Sequence, residues 1–274
     1  IVKIGEHLTF NNVNNHGIQT GGQYNNTLRG AFGPSPFLPM HDSVGNYFPA
    51  DRVGWYPGRP DMAWDNTIAN PYATMFYNSN GRNTNQGLFG DVYMQIEPIK
   101  GLKFRTSLGL NYWSNQSHGF GAPYHLSIYA IRDTSTVYQS MGSGRTLQFD
   151  NTVTYDFKVA EKHSFTVMAG SSALNTKSTG LSGENWDLRV VDLEHAYLDV
   201  AQNTSPESNR LKASGSPYEY ALMSYFGRLQ YNFQEKYLFN ATFRADGSSN
   251  FAPGNRWGYF PSASAGWVAS REDF

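Results

Sequence analysis

The chain has 274 residues, with 21 basic and 22 acidic side chains and a formal net charge of −1, so it offers no electrostatic case for nucleic acid or a strongly charged partner. It has no cysteine, which excludes disulfides and thiolate metal sites. Charged residues make up 16% and aromatics 15%, an odd balance for a cytosolic enzyme. No apolar run reaches the roughly 18 residues of a membrane helix, yet the mean hydropathy of −0.52 suits barrel strands, which alternate apolar and polar residues.

No signal peptide opens the chain, and residues 1–20 already alternate, so the sequence is expected to begin inside a folded element. Period-2 patterning predicts strands at about 2–16, 84–97, 102–116, 144–158, 162–176, 218–234, 236–247 and 256–270. The third is the clearest. Leu102, Phe104, Thr106, Leu108, Leu110 and Tyr112 share one face, and Lys103, Arg105, Ser107, Gly109 and Asn111 the other, a spacing that a helix cannot use. The fourth repeats it with Leu147, Phe149, Val153, Tyr155 and Phe157, and the sixth with Met223, Tyr225, Leu229, Tyr231 and Phe233.

Three connections are tight: Glu97 to Gly101, the turn around Val159-Ala160-Glu161, and Gln234-Glu235. Long polar connections at about 17–83, 117–143 and 177–217 alternate with them. A soluble sandwich has no reason to collect every long loop at one end, whereas an outer-membrane barrel has short periplasmic turns and long extracellular loops. Alternation alone does not say which face points inward. Strands longer than the usual ~5–6 residues of soluble sheets, and aromatics near strand ends at Tyr112, Trp113, Tyr155, Phe157, Tyr231, Phe233 and Tyr237, favour a lipid-facing apolar side. The expected fold is an all-β, antiparallel transmembrane barrel wall. Leu102, Phe104, Leu108, Leu110, Phe149, Val153, Leu229 and Tyr231 would face lipid.

Residues 224–268 contain Tyr-Phe-Gly-Arg-Leu, then Arg-Ala-Asp-Gly-Ser-Ser, Arg-Trp-Gly-Tyr-Phe-Pro-Ser and Ser-Ala-Gly-Trp. These blocks resemble the barrel signature of the SusC/RagA family of TonB-linked outer-membrane proteins. The likeness covers about 45 residues, and residues 1–223 carry only general barrel grammar. It implies a plugged barrel of the roughly 22-stranded class, of which eight strands form about a third. It also implies an N-terminal plug and a TonB-contact motif that are not seen in this sequence, so residues 1–274 are expected to be a partial barrel domain, an internal piece with two unpaired edges. Partners implied by the resemblance are outer-membrane lipids, a SusD-like surface lipoprotein, the TonB complex and a glycan or peptide ligand. The implied activity is import of bulky nutrients, oligosaccharides before peptides, with no bond chemistry and no cofactor, in the outer membrane of a Gram-negative bacterium. A passive porin, an outer-membrane enzyme and a small closed eight-stranded barrel are the competing readings.

Candidate ligand-binding residues are Trp55, Tyr56, Trp64 and Trp186, placed in the long loops, where flat rings can stack on sugars; loop packing or contact with a partner protein is the plainer reading. Arg105, Arg228, Arg244 and Asp246 form a candidate polar lumen set, with Lys103 beside them. Arg244 and Asp246, two apart on one strand, share a face and read either as a solute-path pair or as a wall-stabilising ion pair. Trp257 and Trp267 flank a strand as interface anchors. The loop arginines Arg29, Arg52, Arg59, Arg82, Arg132, Arg145, Arg189 and Arg210 are scattered, which favours a neutral, hydroxyl- or amide-rich ligand over a metal chelate or nucleotide. The seven histidines show no ligand spacing, and no nucleophile-elbow, phosphate-loop, calcium-loop or zinc-protease motif occurs.

Overall fold

The computed structural model describes residues 1–18, 27–33, 40–41, 45, 69–127, 130–190, 192–202 and 212–272. Its strands are β1 (Val2–His16), β2 (Gly81–Ile99), β3 (Leu102–Gly121), β4 (Tyr124–His125), β5 (Ile131–Arg132), β6 (Thr136–Val159), β7 (His163–Trp186), β8 (Lys212–Phe233), β9 (Tyr237–Ser248) and β10 (Trp257–Trp267). Eight of them form one antiparallel sheet in the order β1-β2-β3-β6-β7-β8-β9-β10, while β4 and β5 make a separate small hairpin. Every neighbouring pair in the large sheet is consecutive along the wall. No helix among the described residues is long and apolar enough to cross a membrane, which says nothing about crossing by strands.

Register makes the sheet two-sided. From Thr136↔Trp186 to Val159↔His163, β6 and β7 pair without a break, and only the β2–β3 ladder shifts, between Ile96 and Ile99. One transverse row reads Val2, Ile96, Phe104, Val153, Ala169, Gly227, Phe243 and Pro261; the next reads Lys3, Gln95, Arg105, Thr152, Gly170, Phe226, Arg244 and Phe260. Since side chains alternate sides along a strand and paired residues share a side, the first row belongs to an apolar face and the second to a polar one. The side chains expected to face lipid all fall on the apolar face. They remain open: Ile4 is 78% and Phe149 48% exposed, and no second sheet covers them among the described residues. A soluble sandwich would have buried that face.

Rings crowd the apolar face toward the tight-turn end. Phe157 stacks on Tyr155 (5.0 Å) and Phe165 (5.1 Å), Phe165 lies 4.9 Å from Tyr231, and Phe233 neighbours Tyr237. Trp257 and Trp267 are the first and last residues of β10, as expected of flanking anchors.

The tight turns join β2–β3, β6–β7 and β8–β9 at one end. Ala160, Glu161, Gln234 and Glu235 all have φ between 49 and 56°, and Lys236 N–H donates to the Phe233 carbonyl (2.8 Å). That is the type I′ geometry whose twist matches the strands, although without the usual Asn-Gly. Below β10, a 3-10 turn at Ala269–Arg271 is clasped to the β8–β9 turn. Glu272 accepts hydrogen bonds from Tyr237 Oη (2.8 Å), Lys236 Nζ (3.2 Å) and Trp267 Nε1 (3.2 Å), and Arg271 pairs with Glu235. These donors hold the Glu272 carboxyl below its ordinary value, the tyrosine hydroxyl first among them.

Several boundaries move. β6 starts at Thr136, β7 runs to Trp186 and β8 begins at Lys212, so the sheet reaches well into the predicted loops 117–143 and 177–217. The extensions, such as Lys177-Ser-Thr-Gly-Leu-Ser-Gly-Glu-Asn-Trp186, are mainly polar on both faces, and their pairing rests largely on the backbone ladder. Within predicted loop 17–83 the chain forms α1 (Thr27–Phe32) and α2 (Pro71–Asn78). Asn70 caps α2 by accepting from Tyr72 N–H (3.0 Å) and Ala73 N–H (3.4 Å), with Pro71 at the first helical position. A small apolar cluster of Phe120, Val137, Leu188 and Ala196 lies at the long-loop end, where residues 192–201 fold back over β6 and β7. His118 Nε2 there contacts the Ala196 carbonyl (2.6 Å), and Gln139 accepts from Leu198 N–H (3.2 Å). β1 and β10 do not pair, which rules out a closed eight-stranded cylinder.

Candidate functional site

The polar face carries the candidate chemistry, and the register decides which side chains meet. Arg105 and Arg244 lie on one transverse row, joined through Thr152, Gly170 and Phe226. Four strand spacings of ~4.8 Å put about 19 Å between their backbones. Arg228 lies on the adjacent row with Lys103, Thr154, Met168 and Thr242. Cationic side chains therefore cluster in two neighbouring rows.

Each arginine is held differently. Arg105 rests its guanidinium 3.9 Å from the centroid of Tyr93, and Tyr93 in turn lies over Gly5 on β1, where any β-carbon would meet its ring. Such a contact contributes ~0.5–1 kcal/mol when exposed. Arg244 Nε is 2.8 and 2.9 Å from the two Asp246 carboxylate oxygens, and its Nη2 donates to Ser224 Oγ at 3.1 Å. Its guanidinium lies 5.6 Å from the Phe226 ring, which covers Gly170. Ser224 is 1% exposed, so its hydroxyl needs that partner. Arg228 is exposed and makes no hydrogen bond or ion pair with a described residue. Lys103 pairs with Asp156 at 3.1 Å, and Thr166 Oγ1 donates to the same carboxylate at 2.7 Å.

Of the ligand-binding candidates, Trp55, Tyr56 and Trp64 lie outside the described residues. Trp186 is not in a loop, as the sequence suggested. It ends β7, paired with Thr136, because the ladder continues through the polar extension. Parity places it on the polar face with Gly170, and Lys212 Nζ sits 5.4 Å from its ring while pairing with Glu184 at 3.8 Å. Sixteen residues of β7 separate Trp186 from Gly170, about 50 Å at ~3.3 Å per residue. Trp186 and the arginine rows are thus separate stations on one face. Sequence reasoning missed Tyr93, Phe226 and Ser224. The available signal was Gly5 and Gly170, glycines inside strands, which mark close approach of another group; only the register shows which ring fills the space.

No described group of three or more His, Asp or Glu residues could hold a metal ion. The face presents fixed cations, flat rings and hydroxyls in rows.

No family model matches the chain. It is 26% identical over 285 residues to the TonB-dependent receptor SusC of Bacteroides thetaiotaomicron, covering 98% of this chain and 26% of that protein. It is 25% identical over 239 residues to the TonB-dependent receptor P26 of Formosa agariphila, covering 87% of this chain and 22% of the relative. The structure of the RagAB peptide importer in its open-open state superposes with a TM-score of 0.72 at 20% identity, over 96% of this chain and 27% of that one. Its closed-closed state gives 0.69 at 19% identity, over 96% of this chain and 28% of that one. The chain is SusC/RagA-like. The resemblance read from residues 224–268 thus extends through β1–β10, and the open sheet is a stretch of SusC/RagA-like barrel wall. The chain spans about a quarter of the length of these relatives.

Proposed function

We propose that this sheet is part of the wall of a TonB-dependent importer in the outer membrane of a Gram-negative bacterium. Its apolar face meets lipid and its polar face lines the lumen. The observation that carries the reading is the two-sidedness of the sheet below its polar extensions: eight paired strands put open apolar side chains on one face and arginines, hydroxyls and amides on the other. In bulk water that arrangement leaves a large apolar patch uncovered; in a bilayer it is the required one. The match to TonB-dependent receptors and to a peptide importer supports import as the direction of transport. On this reading the remaining strands, an N-terminal plug, the TonB complex and a SusD-like surface lipoprotein complete the machine, and the chain performs no bond chemistry.

The ligand proposed is a bulky oligosaccharide passing Trp186 at the long-loop end. The polar face supplies rings and hydroxyls. A peptide is the second reading. It is favoured by Arg105 and Arg228, which have no carboxylate partner among the described residues and could meet peptide carboxylates. Calorimetry on the full-length transporter with neutral oligosaccharides, peptides and iron chelates tests both. Trp186→Ala is expected to weaken oligosaccharide binding by ~1–3 kcal/mol, the scale of losing an aromatic anchor. Peptide binding lost in Arg105→Ala/Arg228→Ala, without glycan binding in the wild type, selects the second reading. Tight binding of an iron chelate alone overturns both.

A further inference from the structure

A groove opens on the apolar face, with a volume of about 630 Å³, within the range of ligand-sized clefts. Its sides come from one transverse row: Leu108, Phe149, Ala173, Met223, Gly247 and Trp257. Small residues make the floor and large ones the walls. The Trp257 indole lies across Gly247, within 2.9 Å of where a β-carbon would stand, and stacks on Tyr225 with centroids 5.9 Å apart. Ala173 sits between Phe149 and Met223 on the flanking strands.

The groove lies where the apolar band ends. On β7 this face runs Phe165, Val167, Ala169, Ser171 and Ala173, then turns to Asn175 and Lys177. Lys177 pairs across the ladder with Arg145. Two cations directly opposite each other repel, and the structure neutralises only one. Lys177 Nζ lies 2.8 Å from Glu219, whereas Arg145 is exposed and makes no hydrogen bond or ion pair with a described residue. Arg256 borders the groove itself, with Nε donating to the Phe251 carbonyl at 3.1 Å. Four residues separate Arg145 from Phe149, about 13 Å at ~3.3 Å per residue.

We propose that this groove holds one acyl chain of a phosphorylated outer-leaflet lipid, with Arg145 and Lys177 receiving its phosphate. An apolar slot ending at an excess of positive charge fits an anionic lipid, and the Arg145–Lys177 repulsion is relieved when a phosphate bridges the two. A zwitterionic lipid fills the slot equally well but carries its own cation to the rim. The site rests on the reading of the apolar face as lipid-facing.

The test uses full-length protein in detergent micelles doped with equal amounts of phosphorylated lipid A and phosphatidylethanolamine, with retained lipid counted by native mass spectrometry. Wild type is expected to retain one lipid A with at least tenfold preference. Ala173→Phe, which fills the floor, and Arg145→Gln/Lys177→Gln, which removes the charge, should each reduce that preference at least tenfold. Heat-modifiable gel mobility confirms that each variant is a folded barrel. Equal retention of the two lipids, or a preference unchanged in both variants, overturns the site. Membrane insertion of the wild type is scored alongside: protein that inserts but shows no preference removes this site alone, and protein that fails to insert removes the reading beneath it.

Discussion

The Asp156 N–H donates to the carbonyl of Gly101 across 2.9 Å, and the two backbones are so close that a β-carbon on Gly101 would run into the Asp156 carbonyl oxygen. Gly101 also has φ of +87°, a conformation that L side chains adopt at a cost, and its N–H donates to Glu97 Oε1 at 3.0 Å. Gly101→Ala is therefore expected to destabilise the β2–β3 turn by about 2 kcal/mol or more. Reversible urea unfolding of the full-length barrel, followed by tryptophan fluorescence, measures this; a change below ~0.5 kcal/mol would show that the turn relaxes freely.

The β6–β7 turn predicts the opposite sign. Ala160 and Glu161 hold φ of 49 and 54° without the residues that favour that region. Replacing them by Asn-Gly should stabilise the hairpin by roughly 1 kcal/mol, since the left-handed region costs an ordinary residue about that much. The same urea titration reads it as a higher midpoint with an unchanged slope.

Val153 and Thr152 are neighbours on β6 that face opposite sides. If Val153 meets hydrocarbon, Val153→Arg should cost ~2–4 kcal/mol, the scale for arginine near the bilayer midplane, whereas Thr152→Arg, facing the aqueous side, should cost much less. Equal effects of the two substitutions on folding into lipid vesicles would contradict the assignment of faces.

Glu272 lies beyond β10, and its carboxyl is held below the ordinary value of 4.5 by Tyr237, then Trp267 and Lys236. A carboxylate whose folded value is depressed contributes stability that is present above its unfolded value and is lost as the pH falls through the folded one. The clasp between the 3-10 turn and β9 is therefore expected to hold at neutral pH and to loosen below about pH 4.5. Trp267 fluorescence titrated from neutral to acid pH should show this transition, and Glu272→Gln should abolish it.

The faces of β3, β6 and β8 were legible from alternation alone: Leu102 to Tyr112, Leu147 to Phe157 and Leu229 to Tyr231 lie on the side that period 2 gave them. Strand ends were not. The amphipathic signal comes from having an apolar environment on one side only, and it fades above Ala173, where Lys177-Ser-Thr-Gly continues β7 by backbone pairing. That is why Trp186 read as a loop residue. The cap at Asn70-Pro71 was a readable helix start, obscured by the polar run around it. Within the polar face, the sequence showed that Arg244 and Asp246 share a side. It could not show Phe226 over Gly170, or Tyr93 over Gly5 and beneath Arg105, because those contacts depend on which residue of one strand stands opposite which residue of the next.

The unbroken β6–β7 ladder has a consequence for how such a wall can diverge. Side chains alternate with period 2, so one residue inserted inside β6 would carry Thr152 to the side now held by Val153 and reverse the side of everything beyond the insertion. The connections beyond Trp186 and Gly121 impose no such parity. Length variation among homologous walls should therefore accumulate in those connections, while change within the strands proceeds by substitution at constant length. The long-loop end can vary quickly while the sheet stays in register.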